Sequence, residues 1–116
     1  MNHLCHIEIP SKDLGKAKAF YENVFGWKVY SPEGFKDYMV YETPEGVGGG
    51  FNNMLEINRQ SGMLVHIQVE DIPGTLQAIE KHGGAIVKPK TEIPGIGSWA
   101  QFTDAEGNQM ALFSNE

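Results

Sequence analysis

Two stretches of this chain spell nearly the same strand, LCHIEI at residues 4–9 and LVHIQV at residues 64–69, each with a histidine third, His6 and His66. The echo extends beyond the strips. His6 and His66 are 60 apart, Asp13 and Asp71 are 58 apart, Gly26 and Gly84 are 58 apart, and Gly46 and Gly107 are 61 apart. Offsets that drift only by small amounts at loops are what two diverged copies of one unit produce. The repeat constrains the fold strongly, because whatever the first half forms the second must form again.

Within each copy the order of elements is readable. In the first strip, period-2 alternation marks a strand stopped by Pro10 and Ser11. SKDLGKAKAFYENVFG follows, with Leu14, Ala17, Tyr21, Val24 and Phe25 at helical spacing. Ser11 or Asp13 suits its N-cap, and Gly26 suits the position after its last turn. WKVY, DYMVYE and GVGGGF then read as three strands separated by the turn formers SPEG and TPEG. After the connector MLEINRQSG the order recurs: strand MLVHIQV, helix DIPGTLQAIEKHGG, then strands AIVKP, SWAQFTD and NQMALF. Pro73 falls in the first helical turn, where it costs no hydrogen bond. The expected pattern is βαβββ twice.

Composition sets the outer bounds. At 116 residues the chain is expected to be a single domain, with module one at about 1–57 and module two at about 63–116. A net charge of −6 argues against nucleic acid as a partner, since phosphate binding draws on Lys and Arg. One cysteine, Cys5, excludes an intrachain disulfide and suits a small apolar strand residue in a reducing compartment. No signal peptide and no membrane span are apparent, so the expected location is cytoplasmic and no membrane partner is expected.

Two βαβββ modules in a chain of this length resemble the vicinal oxygen chelate superfamily, which includes glyoxalase I, bleomycin-resistance proteins and extradiol dioxygenases. DLGKAKAFYENVFGW, EDIPGTLQAIEKHGGAIV and FTDAEGNQMALF are similar to phrases of that family. The resemblance implies an α+β fold in which the two modules form a cupped, incomplete eight-stranded barrel with helices outside. It also implies a homodimer and a small organic ligand in the cup. Metal-dependent members carry His, Glu or Gln ligands for Ni, Zn, Mn or Fe on the first and last strands of each unit, whereas resistance proteins keep the cup and bind a drug without metal.

Alternation turns Cys5, Ile7 and Ile9, and likewise Val65, Ile67 and Val69, toward the helices. His6, Glu8, His66 and Gln68 then face the cup. The partner positions are small. The family's acid lies about four residues after the glycine of the final turn, which gives Gly50 after Gly46 and Ala111 after Gly107. Neither side chain can ligate, and nearby Asn52 and Gln109 are poor donors. Counted from Asp13, His6 falls at the family's ligand position; counted from the strand ends at Ile9 and Val69, Leu4 and Leu64 do. A zinc or nickel site needs three or four good donors, so no metal ligand set is assigned and a divalent metal is the alternative. The histidines read either as hydrogen-bonded pocket residues or, with Glu8, as a general base.

Small residues beside Phe51 and Phe113 leave room for a flat ligand, which gives an expected pocket of His6, Glu8, Gly50, Phe51, His66, Gln68, Ala111 and Phe113. The remaining strand aromatics, Trp27, Tyr30, Tyr38, Tyr41, Trp99 and Phe102, divide between core and cup. His3 and His82 are expected at the surface. The glycines of GVGGGF lack the following helix of a phosphate loop and read instead as a close approach of strands. IPGIG reads as a loop at the lip. The functional expectation is a glyoxalase/bleomycin-resistance-like protein binding a small organic molecule without a complete metal site; the alternative is a metal-dependent lyase or isomerase of glyoxalase type.

Overall fold

The structure is a computed structural model that describes residues 1–34, 36–59 and 62–116. Gln60 and Ser61 of the expected connector lie outside the described residues. The elements follow the expected order: β1 (Ile7–Pro10), α1 (Leu14–Phe25), β2 (Lys28–Tyr30), β3 (Tyr38–Glu42), β4 (Gly49–Asn52), then β5 (His66–Gln68), α2 (Ile72–Lys81), β6 (Ala85–Ile93), β7 (Gly97–Thr103) and β8 (Gln109–Ser114). The chain divides into two compact units, Met1–Ile57 and Asn58–Glu116. Each is a four-stranded mixed sheet with one helix, ordered β1-β4-β3-β2 in the first and β5-β8-β7-β6 in the second. Only the β1–β4 and β5–β8 pairs are parallel. The fold is therefore α+β, two βαβββ modules. No helix among the described residues is long and apolar enough to cross a membrane.

The helices start where their caps allow. Asp13, not Ser11, caps α1 by accepting from the Lys16 N–H at 3.1 Å, and Asp71 caps α2 by accepting from Gly74 N–H at 3.1 Å. Gly26 ends α1 in the left-handed region at φ 69°, with its N–H donating to Glu22 O. In the second helix that conformation is taken by Gly83 (φ 98°) rather than Gly84, a shift of one residue against the sequence match.

In the first unit α1 lays Ala17, Phe20 and Tyr21 on the sheet. Tyr21 packs against Trp27 (centroids 4.8 Å) and Phe51 (5.1 Å), and Tyr41 against Trp27 (4.7 Å) and Phe51 (5.1 Å). Stacked and tilted rings of this kind bury large apolar area with little rotamer freedom to lose. The Tyr41 hydroxyl satisfies itself by donating to Ile7 O at 2.8 Å. In the second unit Ile72, Leu76 and Ile79 of α2 meet the face of β7 and β8 that carries Ala100, Phe102, Met110 and Leu112, all buried.

Two boundaries differ from expectation. Strand β1 begins at Ile7, so residues 4–6 precede the ladder, Leu4 and Cys5 are exposed, and Cys5 is no core residue. Strand β6 runs on to Ile93, well past AIVKP. It tolerates Pro89 because it is the edge of its sheet, and its pairing with β7 slips between Ile86 and Lys88 and again before Thr91. IPGIG is accordingly the turn of the β6–β7 hairpin. The glycines of GVGGGF do serve a close approach: a Cβ at Gly49 would overlap the Ile7 carbonyl oxygen and come within 2.8 Å of Ile7 N.

Candidate functional site

In the first unit the sheet face away from α1 is built by alternation. Ile9, paired with Phe51, and Tyr41 look toward the helix, so Glu8, Gly50, Asn52, Tyr38 and Val40 look the other way. Glu8 lies beside Gly50 across the parallel ladder, and Tyr38 lies beside Asn52. There they form one hydrogen-bonded cluster. The Asn52 amide donates to Glu8 Oε1 at 2.9 Å, the Tyr38 hydroxyl and His6 Nε2 are 2.6 Å apart, and His6 Nε2 lies 3.5 Å from Glu8 Oε2. Asn52 is itself held, because its Oδ1 accepts from the Met54 N–H at 2.8 Å.

Gly50 explains how the phenol reaches this point. A Cβ there would fall on the Tyr38 hydroxyl and Cζ and within 2.7 Å of Cε1. The space left by the small residue is thus filled by the chain's own tyrosine and not left for a flat ligand. An adjoining hollow of about 440 Å³ borders Glu8, Lys36, Asp37, Tyr38, Asn52 and Met54.

The environment sets the protonation states. The Asn52 hydrogen bond holds the Glu8 carboxyl below the usual carboxylate range, against an opposing push from burial, with Tyr38 and His6 adding to the lowering. Burial, and then the hydrogen bond to Glu8, push the Tyr38 phenol up to about 12. At neutral pH the cluster therefore holds a carboxylate and a neutral phenol. A carboxyl depressed in the folded state adds stability above its unfolded pKa and loses it as pH falls through the folded value. Stability measured by urea unfolding should decline on acidification below pH 4.5, and Asn52→Ala should flatten that part of the profile. An unchanged acid slope in Asn52→Ala would contradict the assignment.

Phe51 does not belong to this face. Consecutive residues of a strand point to opposite sides, so Gly50 and Phe51 cannot share one, and Phe51 is fully buried beneath α1. In the second unit His66 pairs with Ala111 and Gln68 with Phe113, on the face turned away from α2, where Trp99 and Gln101 also lie. His66 is exposed, its Nδ1 3.2 Å from Leu64 O, and 6.5 Å separates its ring from that of Trp99. Gln109 is committed, accepting from Gln101 Nε2 at 2.6 Å and donating to the Arg59 carbonyl. Of the remaining aromatics, Trp27, Tyr41 and Phe102 are core and Tyr30 is exposed.

Strand register and helix caps agree on which residues of the two units correspond. Glu8 precedes its cap Asp13 by five and sits opposite Gly50; His66 precedes Asp71 by five and sits opposite Ala111. Glu8 thus matches His66, and His6 matches Leu64. The similar strips are displaced by two residues from the structural correspondence. Counted from the helix caps, the positions at which the resemblance places metal ligands are therefore His6 (rather than Leu4), Leu64, Gly50 and Ala111, of which one carries a donor. Among the described residues no group of three or more His, Cys, Asp or Glu side chains is placed to hold a metal ion. The residues present do not fit the metal of metal-dependent relatives.

Tyr38 is the site residue that sequence reasoning left undecided. Its parity, opposite to that of the core residue Tyr41, and a glycine on the neighbouring strand were the available signals. Conversely, the FTDAEGN segment is scaffold. Asp104 Oδ1 accepts from the N–H groups of Glu106 and Asn108, and Asn108 Oδ1 accepts from Asn58 N–H at 2.9 Å, all around Gly107 at φ 97°.

The chain matches the family model of the Glyoxalase/Bleomycin resistance protein/Dioxygenase superfamily over residues 3–112. It is 29% identical over 113 residues to a glyoxylase-like domain-containing protein of Didymella fabae, covering 91% of this chain and 88% of that one. Among solved structures it is similar to a glyoxalase/bleomycin resistance protein/dioxygenase family enzyme from Burkholderia phytofirmans PsJN (TM-score 0.78, 17% identity, 96% and 97% of the two chains). It is also similar to a mutant of the fosfomycin resistance protein FosX of Listeria monocytogenes complexed with Mn(II) and 1S,2S-dihydroxypropylphosphonic acid (TM-score 0.79, 21% identity, 97% and 90%).

Proposed function

Because the chain belongs to the Glyoxalase/Bleomycin resistance protein/Dioxygenase superfamily, we propose that it is a member that binds a small organic molecule without a metal. The observation that supports this reading is the Tyr38 phenol over Gly50, at a position where the resemblance places an acid in metal-dependent members. The hollow beside it, bounded by an aromatic ring, a thioether and an ionised carboxylate, supports a ligand with both an apolar body and a polar group. A mutant of FosX of Listeria monocytogenes has been seen with Mn(II); of the four positions at which the family resemblance places metal ligands, this chain keeps a donor at His6. A homodimer and a cytoplasmic setting belong to the same proposal, the former measurable by sedimentation velocity.

Metal analysis with thermal shift tests it. Purified protein should carry substoichiometric Ni, Zn and Mn, gain no stability from adding them, and gain stability from small aromatic compounds, as any ligand of the native state confers. Near-stoichiometric metal that is lost on His6→Ala, with isomerisation of hemithioacetals, would establish the metal-dependent lyase or isomerase in its place.

A further inference from the structure

The polar groups bordering the first unit's hollow are unequal in kind. Glu8 and Asp37 are carboxylates, while Lys36 is the one cation among the six residues named. Glu8 is the best placed. Its Oε1 takes the Asn52 amide, Tyr38 also hydrogen-bonds the carboxylate, and His6 Nε2 lies 3.5 Å from Oε2. An ionised carboxylate has about four lone-pair sites, so acceptor capacity remains after these three contacts. The phenol cannot offer a proton to a ligand while it donates to Glu8, since a hydroxyl has one. With the anion the stronger acceptor, Tyr38 donates to Glu8 and its oxygen faces His6 Nε2 at 2.6 Å. Asn52 and Tyr38 thus fix the carboxylate in place and leave it the group with hydrogen-bonding capacity to spare.

We infer that this hollow selects its ligand by a donated hydrogen bond. Glu8 is the acceptor, Tyr38 and Asn52 are positioning residues, and the ligand class is small neutral or cationic molecules with a hydroxyl or amine beside an apolar body. The inference rests on the small-molecule reading above and narrows it. Anionic ligands are disfavoured, because they would bring a third negative charge to Glu8 and Asp37.

Benzyl alcohol, benzyl methyl ether and benzoate separate the ideas, titrated into the full-length protein while the amide resonances of Tyr38, Asn52 and Met54 are followed by NMR. The ether keeps the ring and the oxygen but carries a methyl group in place of the donated hydrogen. The alcohol should bind about tenfold tighter than the ether, the scale of one charge-assisted hydrogen bond, with benzoate weakest. Glu8→Gln keeps the shape and removes the charge. It should bring the alcohol-to-ether ratio down to a few-fold and strengthen benzoate, while Tyr38→Phe should lower the ratio without improving benzoate. Equal affinity for alcohol and ether, or benzoate tightest, overturns the selection rule but leaves small-molecule binding standing. No binding of any of the three overturns both.

Discussion

Phe51→Ala should lower stability by about 3–5 kcal/mol, the usual cost of emptying a buried aromatic site. For a domain of this size that is a fall of roughly 12–20 °C in Tm. Phe51 is fully buried, and its ring lies 5.1 Å from both Tyr21 and Tyr41. Truncation opens a hole between α1 and the sheet that the neighbouring rings, already stacked on Trp27, are poorly able to fill. Urea unfolding followed by tryptophan fluorescence reads the change directly, because Trp27 sits in the same cluster. Affinity for any ligand of the opposite face should change little once folded protein is compared with folded protein. A loss below about 1 kcal/mol would mean that the stack is not the core of this unit.

Alanine at either of the adjacent glycines should destabilise, but only at Gly50 should truncating Tyr38 relieve the cost. At Gly50 the three nearest atoms a Cβ would meet all belong to the Tyr38 side chain. Gly50→Ala alone should therefore cost about 2–3 kcal/mol, by overpacking and by driving the phenol off His6. In a Tyr38→Ala background the same change should cost less than about 1 kcal/mol, giving a coupling that a double-mutant cycle measures. At Gly49 the obstructing atoms are the backbone of Ile7, which no side-chain truncation removes. Gly49→Ala should break the β1–β4 pairing in either background and cost more than about 3 kcal/mol. Equal penalties for Gly50→Ala with and without Tyr38 would show that the phenol is not what occupies that space.

The βαβββ order was legible because period, caps and turn formers are local signals, and Asp13, Asp71 and Gly26 act as their types predict. The faces of His6, Glu8 and His66 followed from alternation for the same reason. What escaped needed information from a neighbouring strand. Tyr38 reaches the cluster because Gly50, on the strand beside it, lacks a Cβ, and neither residue alone announces the other. Phe51 was misplaced by matching it with Phe113, where strict parity along β4 puts it under the helix. The extent of β6 was hidden because Pro89 ends most strands, and only its place at a sheet edge excuses it.

The two-residue displacement between the histidine strips carries a lesson about tolerance. One step along a strand turns every side chain to the other face and ruins the core; two steps restore the face and move each group only about 6.6 Å along the strand. Folding energetics are therefore nearly blind to such a move, while chemistry is not, since 6.6 Å exceeds the reach of a hydrogen bond or a coordination bond. A histidine can keep its neighbours in the sequence and its side of the sheet and still stand one rung from where a ligand or proton needs it. In this chain the rung that holds His6 in one copy holds Leu64 in the other, and His66 stands where the first copy has Glu8.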